Sequence, residues 1–153
     1  MRFGIGQPVT RKEDPRFLTG LGRYVADIDL VRQAHAVFVF SPHAHARIRA
    51  IDKAAAEQMP GVFAVLTGED WAADGLGTLD PEAMAEDFGG PAGFRTKRPP
   101  LAQGRVRYVG ERVAVVIAAT EAEARDAAEL VSVDYDGLPA VVRAEDAVRP
   151  GES

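Results

Sequence analysis

The stretch from Arg112 to Tyr135 constrains the fold of this chain more than any other. Arg112 to Ala119 (RVAVVIAA) is the most apolar run present and reads as a central strand. Thr120-Glu-Ala-Glu123 follows directly and fits a capping box, in which the threonine hydroxyl and the N3 glutamate satisfy backbone donors reciprocally. The helix it opens runs to about Leu130 and turns Ala124, Ala127, Ala128 and Val131 inward. Val131 to Tyr135 is the next strand and Asp136-Gly137 a turn. Leu138 to Val142 is an extended edge, because Pro139 cannot donate to a ladder. Ala144 to Val148 reads as one helical turn.

Upstream, the same order recurs loosely. Residues 34–40 (AHAVFVF) read as a strand that Ser41-Pro42 breaks. Residues 45–51 form a second strand, with Arg47 and Arg49 facing one way. Asp52 is the expected N-cap of a short helix, Lys53 to Met59, closed by Pro60-Gly61. Val62 to Leu66 is a buried strand, and Thr67 to Trp71 a short capped turn of helix. Arg105 to Tyr108 is a short strand before a turn at Gly110-Glu111. Each half thus runs strand, strand, helix, strand. No residue-level repeat links the halves, so the expected class is α+β.

Two segments stand apart. Residues 1–25 read as an extended arm, broken by Gly4, Gly6, Pro8, Pro15, Gly20 and Gly22 and locally basic. Such an arm has little apolar surface of its own to bury, so it is either mobile or docked on something larger. Residues 73–104 hold no periodic element. Every charge from Glu69 to Asp87 is negative and every charge from Arg95 to Arg107 positive. So long a structureless stretch inside a compact domain favours an interface or excursion over disorder.

Composition excludes several classes. There is no cysteine, hence no disulfide framework, thiolate metal site or cysteine nucleophile. The net charge of −5 argues against a nucleic-acid binder. No apolar run approaches the roughly 18 residues of a membrane span, and the N-terminus lacks the apolar region of a signal peptide. The expectation is a soluble, cytoplasmic chain without membrane insertion.

Chemistry-bearing residues are sparse. His43 and His45 share a face of an extended segment, with His35 the nearest third histidine, but zinc demands at least three ligands. The favoured reading has one histidine capping a turn and the other facing solvent. Gly4/Gly6 and Gly20/Gly22 lack the third glycine and the helix of a dinucleotide fingerprint and read as turn glycines. No P-loop and no G-x-S-x-G elbow occurs. Arg95, Lys97, Arg98, Arg105, Arg107 and Arg112 could bind phosphate, with only Phe94 and Tyr108 as interleaved aromatics. A solvated rim or a protein contact suits them better. The acidic run lacks the spacing of a calcium loop. Glu111 could be a buried base, but an exposed turn residue paired to Arg112 or Arg107 is favoured.

Several stretches, in order, carry a family resemblance. They are Gly6-Gln-Pro-Val-Thr-Arg11, Asp14-Pro-Arg-Phe-Leu-Thr-Gly20 and Gly22-Arg-Tyr-Val-Ala-Asp27. Then come Phe40-Ser-Pro-His-Ala-His45-Ala-Arg-Ile, Met59-Pro-Gly-Val62, Leu101-Ala, Val106-Arg-Tyr-Val-Gly-Glu-Arg-Val-Ala114 and Val133-Asp-Tyr-Asp-Gly-Leu-Pro-Ala140. Together they resemble the start of the large, molybdenum-bearing subunit of aerobic carbon monoxide dehydrogenases, within the xanthine dehydrogenase and aldehyde oxidase family.

The resemblance implies an α+β fold, the α/β-hammerhead, with small mixed sheets and two or three short helices. It implies an arm at 1–25, a hammerhead domain at 26–148 with the 73–104 excursion, and a tail or linker at 149–153. The family hydroxylates carbon monoxide, aldehydes or N-heterocycles with molybdopterin–molybdenum and water, passing electrons to iron–sulfur clusters and FAD on partner subunits or domains. Its pterin-holding loops and catalytic glutamate lie beyond the hammerhead, so no catalytic, cofactor-binding or metal residue carries over to this chain. The expected role is therefore a structural and assembly module of an oxidoreductase, a fragment or a separately encoded piece, not catalytic in isolation. Its expected partners are the molybdopterin-binding domains of the same large subunit and the iron–sulfur and FAD subunits. The alternatives are a free-standing protein-binding or scaffold module on the same fold, and a small metal-binding protein using His35, His43 and His45.

Overall fold

The computed structural model describes Gly6 and residues 10–79, 83–93 and 97–147. Gly4, Phe94, Arg95, Val148 and the 149–153 tail lie outside the described residues. The chain divides into two units, residues 1–33 and 34–153.

In the first unit, α1 spans Asp14–Leu18. Pro15 sits in its first turn, where a missing N–H removes no helical bond. The Thr19 hydroxyl closes the turn by donating to the Pro15 carbonyl at 2.6 Å. Phe17 and Tyr24 stack with centroids 5.8 Å apart, and the Arg16 guanidinium lies over the Phe17 ring. A 3-10 turn at Val25–Asp27 follows, with the Tyr24 amide bonded to the Asp27 carboxylate. The segment that reads as extended therefore contains a helical turn.

The second unit is built from β1 (His35–Phe40), β2 (Ala46–Asp52), α2 (Ala54–Glu57), β3 (Val62–Thr67), α3 (Gly68–Ala73), β4 (Arg105–Val106), β5 (Arg112–Ala118), α4 (Glu121–Glu129), β6 (Ser132–Gly137) and α5 (Ala144–Ala147). The strands form two small sheets, ordered β1-β5-β3 and β4-β2-β6. All four ladders are antiparallel. The first sheet takes β1 and β3 from the first half of the sequence and β5 from the second. The second sheet takes β4 and β6 from the second half and β2 from the first. Each half thus lends its middle strand to the centre of the other half's sheet.

The inner face of the first sheet packs on α4. Val65, Ala114, Val116 and Ala118 meet Ala56, Ala124, Ala127 and Val131 in one buried cluster. The helix face is built of alanines, so the helix lies close on the strands. Thr120 caps α4 as expected, accepting from the Glu123 amide at 3.2 Å while the Glu123 carboxylate accepts from the Thr120 amide at 3.0 Å. The second cluster joins Ala46, Ala102, Val106 and Val113, with Ile48 and Tyr135 beside them. Val39 and Val133 touch both clusters, which makes the core continuous.

Several boundaries differ from the sequence reading. Lys53, not Asp52, is the N-cap residue of α2; the Asp52 carboxylate instead accepts from the Ala54 amide at 3.1 Å, a turn-type contact. β4 stops at Val106, because Arg107 turns to serve Glu111. β6 runs through Asp136-Gly137, since β2 pairs with it as far as Ala46 opposite Gly137. Residues 138–142 form no ladder and are held by the Leu138 amide on the His45 carbonyl at 2.9 Å. Within 73–104 the described residues include a 3-10 turn at Ala85–Phe88 and a bridge between Leu79 and Arg98. The excursion re-enters the core at Leu101 and Ala102, both buried. The sequence concealed this because two apolar residues between Pro100 and Gln103 show no period.

Candidate functional site

The crossover from β1 to β2 and the turn into β5 meet in one knot. Ser41, buried, donates its amide to the Glu111 carbonyl at 2.9 Å and accepts the Gly110 amide at 2.8 Å. Gly110 sits at φ +86°, a conformation that favours glycine, so the chain turns tightly enough to close this pair. The Ser41 hydroxyl accepts from the His43 amide at 3.0 Å.

Glu111 corrects the expectation of an exposed turn residue. It is only 7% exposed. One carboxylate oxygen accepts the Arg107 amide, and the other lies 3.2 Å from the Arg107 guanidinium. Both oxygens therefore hold the residue that ends β4, and the carboxylate is a positioning group. Arg112 is not its partner. A register shift after Val39 places Arg112 opposite Phe40, and its guanidinium lies 4.9 Å from the Phe38 ring centroid.

The three histidines do not converge. His35 begins β1 opposite Ala118. His43 is exposed and packs its ring 4.7 Å from that of Tyr135. His45 Nδ1 lies 2.7 Å from the Pro139 carbonyl and ties the 138–142 segment to the start of β2. Among the described residues no three His, Cys, Asp or Glu side chains are grouped to hold a metal ion. Burial raises the Tyr135 hydroxyl above its ordinary pKa, partly offset by the Ser41 hydroxyl.

The basic residues divide. Arg105, Arg107, Tyr108 and His45 border an open cavity of about 470 Å³, closed on the other side by Pro139 to Val142. Lys97, Arg98, Arg107, Tyr108 and Glu111 border a second, of about 340 Å³. Arg107 and Tyr108 are the shared wall. Arg112 belongs to the first sheet instead. Ser41 and Tyr135 lie inside stretches that carry the family resemblance, but sequence reasoning gave neither a site role; the break at Ser41-Pro42 after an aromatic strand was the available signal.

No orphaned buried side-chain donor or acceptor among the described residues points to a bound molybdopterin. A pterin cradle needs buried polar groups aimed at the ligand, and every buried side-chain nitrogen and oxygen among the described residues already has a partner. No helix among the described residues is long and apolar enough to cross a membrane.

Residues 19–139 match the family model described as aldehyde oxidase and xanthine dehydrogenase, a/b hammerhead domain. The chain is 41% identical over 147 residues to the nicotine 6-hydroxylase large subunit of Paenarthrobacter nicotinovorans, covering 96% of this chain and 17% of that protein. It is 42% identical, with the same coverage, to the carbon monoxide dehydrogenase large chain of Hydrogenophaga pseudoflava. The crystal structure of quinoline 2-oxidoreductase from Pseudomonas putida 86 superposes with a TM-score of 0.80 at 45% identity, over 97% of this chain and 18% of that one. The chain thus spans less than a fifth of the length of these relatives. With its interlocked sheets and this match, the chain belongs to the aldehyde oxidase and xanthine dehydrogenase a/b hammerhead domain family.

Proposed function

We propose that this chain is a structural and assembly module of a molybdenum-dependent hydroxylase large subunit, one that oxidises carbon monoxide, an aldehyde or an N-heterocycle. The observation that carries the reading is the asymmetry of coverage: nearly all of this chain aligns with large subunits of oxidoreductases, and it accounts for 17–18% of their length. In that reading molybdopterin supplies the hydroxylation chemistry and is held by other domains of the large subunit. Iron–sulfur and FAD subunits or domains accept the electrons in the cytoplasm. Residues 1–25 are the arm, 26–148 the hammerhead with its 73–104 excursion, and 149–153 a tail or linker. The knot of Ser41, Glu111 and Arg107 then serves to fix the geometry of the module.

The test is a chimera in which this chain replaces the matching stretch of the nicotine 6-hydroxylase large subunit. Assembly of a soluble holoenzyme, measured by sedimentation and molybdenum content, is the expected result. A chimera that folds but never assembles overturns the proposal.

A further inference from the structure

The two sheets differ sharply on their outer faces. The outer face of the second carries Arg47, Arg49, Arg105, Asp134 and Asp136, and Arg49 pairs with Asp136 at 2.6 Å. That is a face made for water. The first sheet is the opposite. Its inner residues Val37, Val39, Val65, Ala114 and Val116 pack on the core. Alternation then turns Phe38, Phe40, Val115, Ile117 and Leu66 outward. Phe38, Val115 and Leu66 lie in one row across all three strands. Phe38 is 37% exposed, Phe40 54% and Leu66 36%. The single charge in this face, Arg112, lies over Phe38 and makes no ion pair among the described residues.

We infer that this outer face is the docking surface for an adjoining domain of the same large subunit, an apolar surface that presents a carboxylate to Arg112. The inference rests on the functional reading above. Area selects the occupant. Two half-exposed phenylalanines with Leu66, Val115 and Ile117 offer on the order of 300 Å² of apolar surface. A freely dissociating dimer needs about 800 Å² from each partner, whereas domains joined in one chain bury about 600–1,500 Å² in total and are held together by their linkage. The relatives supply the linked surface, since more than four-fifths of their length lies outside this module.

Hydroxyl-radical footprinting of the full 153-residue chain, alone and within the chimera, tests this. Labelling of Phe38, Phe40 and Leu66 is expected to fall several-fold in the assembled chimera. A triple variant, Phe38→Thr, Phe40→Thr and Leu66→Thr, keeps β-forming residues in place. It should leave the isolated chain folded, with a lowered urea midpoint but a cooperative transition, while lowering chimera yield under conditions in which the isolated variant is folded. Equal labelling in both forms, with a normally assembled chimera, overturns the docking face and leaves the functional reading standing. A reversible dimer of the isolated chain that protects these three residues overturns the choice of occupant. Failure of the wild-type chimera to assemble overturns both.

Discussion

A Cβ on Gly61 would collide with the carboxylate of Glu123, the residue that completes the N-terminal cap of α4. Gly61 also sits at φ +80° and accepts the Ala119 amide at 2.9 Å. The loop closing α2 and the start of α4 therefore share one space. Gly61→Ala should cost about 2 kcal/mol, combining left-handed strain with displacement of the cap. Glu123→Ala alone should cost about 1 kcal/mol. The double variant should lose less than the sum, because the collision is gone. Urea unfolding of the three variants checks this.

Gly68 meets a harder obstacle. A side chain there would run into the backbone carbonyl of Ala102, a group that cannot swing aside as a glutamate can. Gly68→Ala should destabilise by about 3 kcal/mol through overpacking and should loosen the return of the excursion into the core. Hydrogen exchange at the Ala102 amide, which bonds the Arg112 carbonyl at 2.7 Å, should accelerate beyond that of the β5 centre.

Removing the Glu111 carboxylate should cost more than removing its charge. Glu111→Ala leaves the Arg107 amide without its acceptor in a part-buried turn, for about 1–2 kcal/mol. Glu111→Gln keeps one acceptor oxygen and should cost about half of that. Thermal unfolding of both variants provides the comparison; equal losses would mean that the charge, not the hydrogen bond, holds the turn.

Asp70 should contribute to the acid sensitivity of the module. The hydrogen bond from Lys53, at 3.0 Å, and then that from the Thr67 hydroxyl hold its carboxyl below the usual range. Burial works against the Lys53 charge, yet Asp70 and Glu57 carry its ammonium above the ordinary lysine value. A lowered acid and a raised base stabilise the fold between their ordinary pKa values. Asp70's share is lost as pH falls below about 4, and Lys53's as pH rises above about 10.5. About a third exposed as the pair is, Asp70→Asn should cost no more than about 1 kcal/mol at pH 7. The gap from wild type should close as pH falls through the acid limb, as urea midpoints measured from pH 7 to pH 3 would record.

Local chemistry was legible in this sequence and long-range closure was not. The caps at Thr67 and Thr120 are written in hydroxyl and carboxylate three residues apart, so both appear where the spacing puts them. The alanine face of α4 follows from helical period alone. The pairing of Glu111 with Arg107, four residues away, was legible, but its burial was not, because the backbone contact with Ser41 seventy residues upstream has no local signature. Leu101 and Ala102 were lost inside a glycine- and proline-rich stretch for the same reason. The exchange of middle strands was invisible too, since antiparallel pairing leaves no mark on the order of elements.

That exchange makes the molecule a reciprocal graft. Severed between β3 and β4, neither piece retains a sheet of its own: the first would hold β1 and β3 with an empty centre, and the second β4 and β6 with another. Each piece is the template that the other lacks. The part of the 73–104 connection that precedes Leu101 can accordingly lengthen or vary without loosening the module, because the halves are bound to each other by what they have lent.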